Sequence, residues 1–142
     1  MKKAMIGYQI YSAREDAEKD LFGTLKKIAE MGYDGVEFAG FYHYTVDEIK
    51  KALEESGLVA ISAHVPLAEI EKDMFKTISD YKAIGCKYIA VPYTDDECRP
   101  GGPRFAETIR NIYKFGRLCR EAGIQLLYHN HDFEFTKISG MY

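Results

Sequence analysis

One unit recurs four times along the chain: an amphipathic helix, a glycine, then a short apolar strand that ends in polar side chains. The glycines are Gly32, ahead of Gly35-Val36-Glu37-Phe38; Gly57, ahead of the run at 58–65; Gly85, ahead of 86–93; and Gly123, ahead of 124–131. Each stands where a helix C-terminus calls for a left-handed backbone, which glycine adopts without a Cβ penalty. A further strand, 4–11, precedes them and closes in Gln9 and Tyr11. Strands alternating with longer helices demand right-handed crossovers and a parallel sheet.

The helical segments carry their own signals. Leu21, Leu25, Ile28 and Ala29 recur at helical spacing, while Lys26, Lys27 and Glu30 face elsewhere. Thr45-Val46-Asp47-Glu48 has the form of a capping box and predicts a helix running to about residue 56. A third helix is expected from near 67 or 72 to 84. A fourth is expected from Pro103, suited to a first helical turn, to 122.

Composition narrows the class. At 142 residues and 46% hydrophobic content, the chain is of single-domain size with enough apolar material for a core. Acidic residues number 22 against 19 basic, a net charge of -3, so no wide cationic surface awaits a nucleic acid, and none is expected as a partner. Met1-Lys2-Lys3 opens like a signal peptide, but Gln9, Arg14, Glu15 and Asp16 leave no apolar stretch behind it. A soluble cytoplasmic protein without membrane contact is the expectation. Cys86, Cys98 and Cys119 fit neither a disulfide framework nor a zinc ribbon; Cys86 and Cys119 read as buried thiols and Cys98 as a loop thiol.

A β-α-β-α run closes either as an open doubly wound sheet or as a barrel. Gln9-Ile10-Tyr11-Ser12-Ala13-Arg14 follows the first strand where a dinucleotide-binding domain would place a glycine-rich turn, which removes the best support for that fold. Polar residues at nearly every strand end fit barrel chemistry better. A complete eight-stranded barrel takes roughly 250 residues, so the expected fold is α/β, a parallel (β/α) repeat of about five units. Residues 1–142 then form a single incomplete (β/α)-barrel domain, the first part of a barrel, which oligomerisation would be one way to complete.

The chemistry concentrates in Leu126-Leu127-Tyr128-His129-Asn130-His131-Asp132-Phe133-Glu134-Phe135, where an apolar run gives way to imidazoles, an amide and carboxylates. Alternation places His129 and His131 on one face of the extended chain. This segment, together with Gly35-Val36-Glu37-Phe38 and Ser62-Ala63-His64-Val65, resembles the sugar phosphate isomerase/epimerase family of xylose-isomerase-like TIM barrels, which also includes endonuclease IV. The resemblance covers the whole chain but only the N-terminal part of the family's fold. It implies one divalent cation, Mn²⁺, Mg²⁺, Co²⁺ or Zn²⁺, held at the ends of strands five to eight. His129 stands where the family's strand-five ligand stands, commonly a glutamate, and the other ligands would lie beyond Tyr142. The ligand set within this chain is therefore incomplete.

His129 reads as a metal ligand or as a hydrogen-bonded strand-end histidine. His131 reads as a contact to a sugar hydroxyl, a support for the metal site, or a second ligand. Glu134 is the candidate catalytic base, against a solvated loop glutamate. Glu37 interrupts an apolar run, where a charge is costly unless paired; it either orients substrate or satisfies a buried partner. His64, just before Pro66, is placed for substrate contact at the barrel rim. Phe41, Tyr42, His43 and Tyr44 form an aromatic loop that would stack on a sugar ring, plug the barrel mouth or meet another subunit. The loop 94–102 is long enough for a flexible lid, with Arg99 as a clamp for a phosphate or carboxylate.

The function implied is a metal-dependent isomerase or epimerase acting on a sugar, keto-sugar or inosose-like substrate through an enediolate. Keto-sugar dehydratase or lyase chemistry uses the same enolate logic. A different class of reading is a catalytically incomplete half-barrel with an assembly role; its exposed strand edges and apolar surface predict a homo-oligomer. Endonuclease IV-like activity fits least well, given the acidic balance.

Overall fold

The computed structural model describes residues 4–138 and Gly140. Five strands, β1 (Gly7–Gln9), β2 (Gly35–Phe38), β3 (Val59–His64), β4 (Tyr88–Val91) and β5 (Gln125–Tyr128), form one sheet in sequential order, each pair parallel. Helices α1 (Arg14–Lys19), α2 (Leu21–Glu30), α3 (Val46–Ser56), α4 (Leu67–Lys72), α5 (Met74–Ala83) and α6 (Phe105–Glu121) fill the connections. This is the α/β partial barrel that the repeat predicts. A strand order that never reverses is the barrel's topology; a doubly wound sheet reverses at a switch point.

The four repeat glycines do what the grammar requires, with φ of 90° at Gly32, 70° at Gly57, 84° at Gly85 and 82° at Gly123. α3 carries the full capping box: Thr45 Oγ1 accepts from the Glu48 amide, and the Glu48 carboxylate accepts from the Thr45 amide at 2.8 Å. The expected third helix is two, because Asp73 leaves helical conformation at φ -160° and its side chain caps α5 by accepting from the Lys76 amide. The first strand is shorter than expected, since the chain enters a 3-10 turn at Ile10–Ala13.

Strand alternation divides the sheet into two faces. Val36, Phe38, Ala63, Ile89 and Val91 are buried toward the helices, where they meet Leu21, Leu25, Ile49, Ile70 and Phe115. The other face carries Gly7, Gln9, Gly35 and Glu37. A bulge in the β2–β3 ladder, with Val36 opposite Ala60 but Glu37 opposite Ser62, absorbs Ile61 as an extra residue. Bulges re-aim the side chains that follow them; here Ser62, and two residues on His64, come to the side of Glu37. Cys86 and Cys119 are buried thiols as expected, with burial pushing their pKa values up to about 11 and about 12. Cys98 does lie in a loop, but it too is buried. No helix among the described residues is long and apolar enough to cross a membrane.

Candidate active site at the strand carboxyl ends

Glu37, near the end of β2, is the hub of the polar face. Its Oε1 accepts from Gln9 Nε2 of β1 at 2.6 Å, its Oε2 accepts from Ser62 Oγ of β3 at 2.5 Å, and His64 Nε2 lies 3.2 Å from Oε1. Three adjacent strand ends are thus tied through one carboxylate. Its partners are neutral polar groups and an imidazole, in place of the buried arginine or lysine that the sequence allowed. Burial pushes the His64 pKa below the usual imidazole value. The Glu37 carboxylate opposes that shift, while His129 and His131 add to it. His64 is therefore neutral at pH 7, with its Nε2 edge beside the Glu37 carboxylate.

β5 ends at Tyr128, so His129 and His131 stand beyond the strand, although the His129 amide still bonds the Val91 carbonyl at 3.0 Å. Their rings nonetheless come together: His64 to His129 measures 4.8 Å between centroids, and His129 to His131 4.9 Å. His131 is held by packing. Phe133 stacks on it at an interplanar angle of 10°, Tyr93 meets it edge-on at 5.5 Å, and its Nδ1 is buried with no hydrogen-bond partner among the described residues.

These groups surround a cavity of about 570 Å³ whose wall includes Gln9, Tyr11, His64, Glu69, Tyr93, His129 and His131. That volume lies in the range of small-molecule sites. A second groove of about 620 Å³, between α6 and β5, has no histidine or carboxylate in its wall and lies away from this chemistry.

Glu134 is not in the cavity wall. Its carboxylate accepts from Tyr128 Oη at 2.6 Å and from the His131 amide at 2.7 Å, and it lines a separate depression with Arg99 and Phe133. Burial tends to raise its pKa, but these hydrogen bonds outweigh it and hold the carboxyl below the usual range. Loop 94–102 is pinned where a flexible lid was expected. Arg99 Nε donates to the Thr94 carbonyl at 2.9 Å, its Nη2 donates to Tyr93 Oη at 2.6 Å, and its guanidinium lies 3.6 Å from the centroid of the Phe133 ring. Arg99 is thus committed within the fold and not free as an anion clamp. In the aromatic loop, Phe41 packs on Tyr81 and Tyr44 on Phe22, against the helix layer; His43 bonds Glu18 at the surface.

Gln9 and Ser62 escape sequence-based site assignment, although Gln9 reads as a polar strand end and Ser62 sits two residues before His64 on its strand. Glu69, on a helix, carries no sequence signal at all. Imidazoles suit a divalent ion, but among the described residues no three His, Cys, Asp or Glu side chains converge to hold one.

In fold, the chain is similar to a sugar phosphate isomerase/epimerase from Parabacteroides distasonis, at 21% identity and TM-score 0.77, over 97% of this chain and 55% of that one. It is also similar to a D-psicose 3-epimerase crystallised with D-fructose, at 15% identity and TM-score 0.62, over 87% and 51% of the two chains. A third such structure is the IolI protein with a zinc atom, at 12% identity and TM-score 0.66, over 88% and 51%. The chain thus spans about half the length of these solved structures. No curated protein matches it. The sequence profile that does match spans residues 25–140, takes in β2 to β5 with the Glu37, His64 and His129 strand ends, and describes the xylose isomerase-like TIM barrel, the family to which this chain belongs.

Proposed function

We propose that the chain forms the substrate-binding wall of an isomerase or epimerase acting on a ketose, keto-sugar or inosose-like polyol. The observation that carries this reading is the convergence of His64, His129 and His131 on one cavity at the carboxyl ends of parallel strands, the end at which such barrels do chemistry. Neutral His64 offers a polar ring to a sugar hydroxyl, with the Glu37 carboxylate 3.2 Å from its Nε2. Tyr11 and Tyr93 give the wall the aromatic surface that the apolar face of a sugar packs against. The Parabacteroides and D-psicose structures, both of sugar-processing enzymes, support the substrate class. His129 is the one metal ligand we assign to this chain. Its described residues do not complete the set, and the chemistry argued for it rests on its own side chains.

Calorimetric titration with D-fructose tests this reading. The wild-type chain is expected to bind, and His64→Ala and His129→Ala are each expected to weaken binding by about tenfold, the effect of one lost hydrogen bond in a desolvated site. No binding by the wild type, or equal binding by all three proteins, overturns it.

A specific surface favours assembly as well. Ile109 and Tyr113, one turn apart on α6, are 50% and 71% exposed, so one face of that helix presents an apolar strip. Strips of this kind mark contact sites, and a second copy of the chain would cover this one. Sedimentation equilibrium is expected to give a dimer mass that reverts toward monomer in Tyr113→Glu. A wild-type chain that stays monomeric rules the assembly out.

A further inference from the structure

An imidazole in a binding site is ordinarily oriented by a hydrogen bond on one of its nitrogens. His131, in the cavity wall, lacks that anchor at Nδ1, which is buried without a partner among the described residues. Ring contacts take its place. The Phe133 ring lies within 10° of parallel to the imidazole at 5.3 Å, and Tyr93 meets both rings edge-on at 5.5 Å. Offset-stacked and edge-on arrangements are the favoured ones between planar rings. We propose that Phe133 is a positioning residue for the ketose: by stacking on His131 it holds the imidazole in the orientation that hydrogen-bonds a sugar hydroxyl. This rests on the sugar-site reading. Phe133 lines the neighbouring depression and not the cavity, so it acts on a ligand through His131 and Tyr93.

Phe133 is itself held. Glu134 turns back to accept from the His131 amide at 2.7 Å, which closes residues 131–134 into a tight turn and sets the Phe133 ring on the imidazole. The Arg99 guanidinium covers that ring, 3.6 Å from its centroid, in a cation–π contact. Arg99 is fixed in turn by Asp96, the Thr94 carbonyl and Tyr93 Oη. Loop 94–102 thus reaches the cavity without lining it: Arg99 braces Phe133, and Phe133 braces His131. An orientation set before binding spares the ligand the cost of ordering the ring. An aliphatic side chain at this position would fill volume but offer no flat face to the imidazole.

A double-mutant cycle on the full chain, read by D-fructose titration, is the test. Phe133→Leu and His131→Ala are each expected to weaken binding about tenfold, the effect of one lost hydrogen bond. Combined, they are expected to weaken it no further than His131→Ala alone, because Phe133 acts through a ring already gone. Phe133→Tyr keeps the aromatic face and is expected to retain wild-type affinity. Proton NMR of the wild type reads the stack with no change at position 133. The His131 ring protons, identified by their loss in His131→Ala, are expected upfield of those of exposed His43, under the phenyl ring current, and to move when fructose binds. Additive losses in the double variant, wild-type affinity in Phe133→Leu, a Phe133→Tyr variant as weak as Phe133→Leu, or His131 protons lacking either shift overturn the proposal while the sugar site stands. Failure of the wild type to bind fructose removes both.

Discussion

Phe38→Ala is expected to destabilise the fold by about 3–5 kcal/mol, the range for deleting a fully buried aromatic ring. Phe38 has no exposure, packs edge-on to Phe41, and stands in the layer between β2 and the helices. The loss combines the ring's transfer free energy with a cavity that a parallel sheet, hydrogen-bonded on both sides of β2, cannot collapse to fill. Urea unfolding followed by circular dichroism measures it. A cost below about 1 kcal/mol would mean that the helix layer is loosely packed and the described core is wrong. The cavity residues lie across the sheet, so at temperatures where the variant is folded its fructose affinity should match the wild type.

One residue earlier the outcome inverts. Glu37→Gln keeps the side-chain shape but turns a charged acceptor into an amide, facing donors from Gln9 and Ser62 and the His64 imidazole 3.2 Å away. Hydrogen bonds to a charged group contribute about 1.5–3 kcal/mol, and Glu37 is only 24% exposed, so a loss of roughly 2 kcal/mol is expected at pH 7. Fructose binding should weaken with it, because the His64 imidazole loses the carboxylate that stands beside it.

The pH dependence separates this from a packing defect. His64 has a folded-state pKa below its unfolded value of 6.5, so the unfolded chain binds more protons as the pH drops. The neutral imidazole's contribution is complete above 6.5 and is lost as pH falls toward the depressed folded value. The Glu37 carboxylate is what opposes the depression, so in Glu37→Gln the His64 pKa drops further and the loss of stability reaches deeper into acid. Proton NMR of the His64 ring, with unfolding at pH 7 and pH 5, reads both effects. A His64 pKa unchanged or raised in the variant would break the proposed link between the two residues.

Much of this was legible in the residues. Glycines at the helix ends, the Thr45 capping box and apolar strands closing in polar groups follow from local backbone chemistry, and they specify a parallel (β/α) repeat before any contact is known. His64 and His129 were legible for the same reason: a polar ring at the end of an apolar strand has few places to go. The break at Asp73 was not, because an aspartate inside a polar stretch reads equally as helix surface or as a cap. The loop 94–102 read as a lid because of its length. That Arg99 turns inward onto Phe133, more than thirty positions along the chain, is a tertiary fact.

What the sequence by itself determined is periodic: which segments are helix or strand, that the strands run parallel, and at which end of the sheet the histidines gather. What only the tertiary structure decided is which carboxylate shares their cavity. Glu37, Glu69 and Glu134 are chemically alike. The β2–β3 bulge locks Glu37 to Ser62, Tyr128 and the His131 amide draw Glu134 aside, and α4 brings Glu69 into the cavity wall. Sequence periodicity records the face of an element on which a side chain lies. The distance between residues on different elements is set by packing.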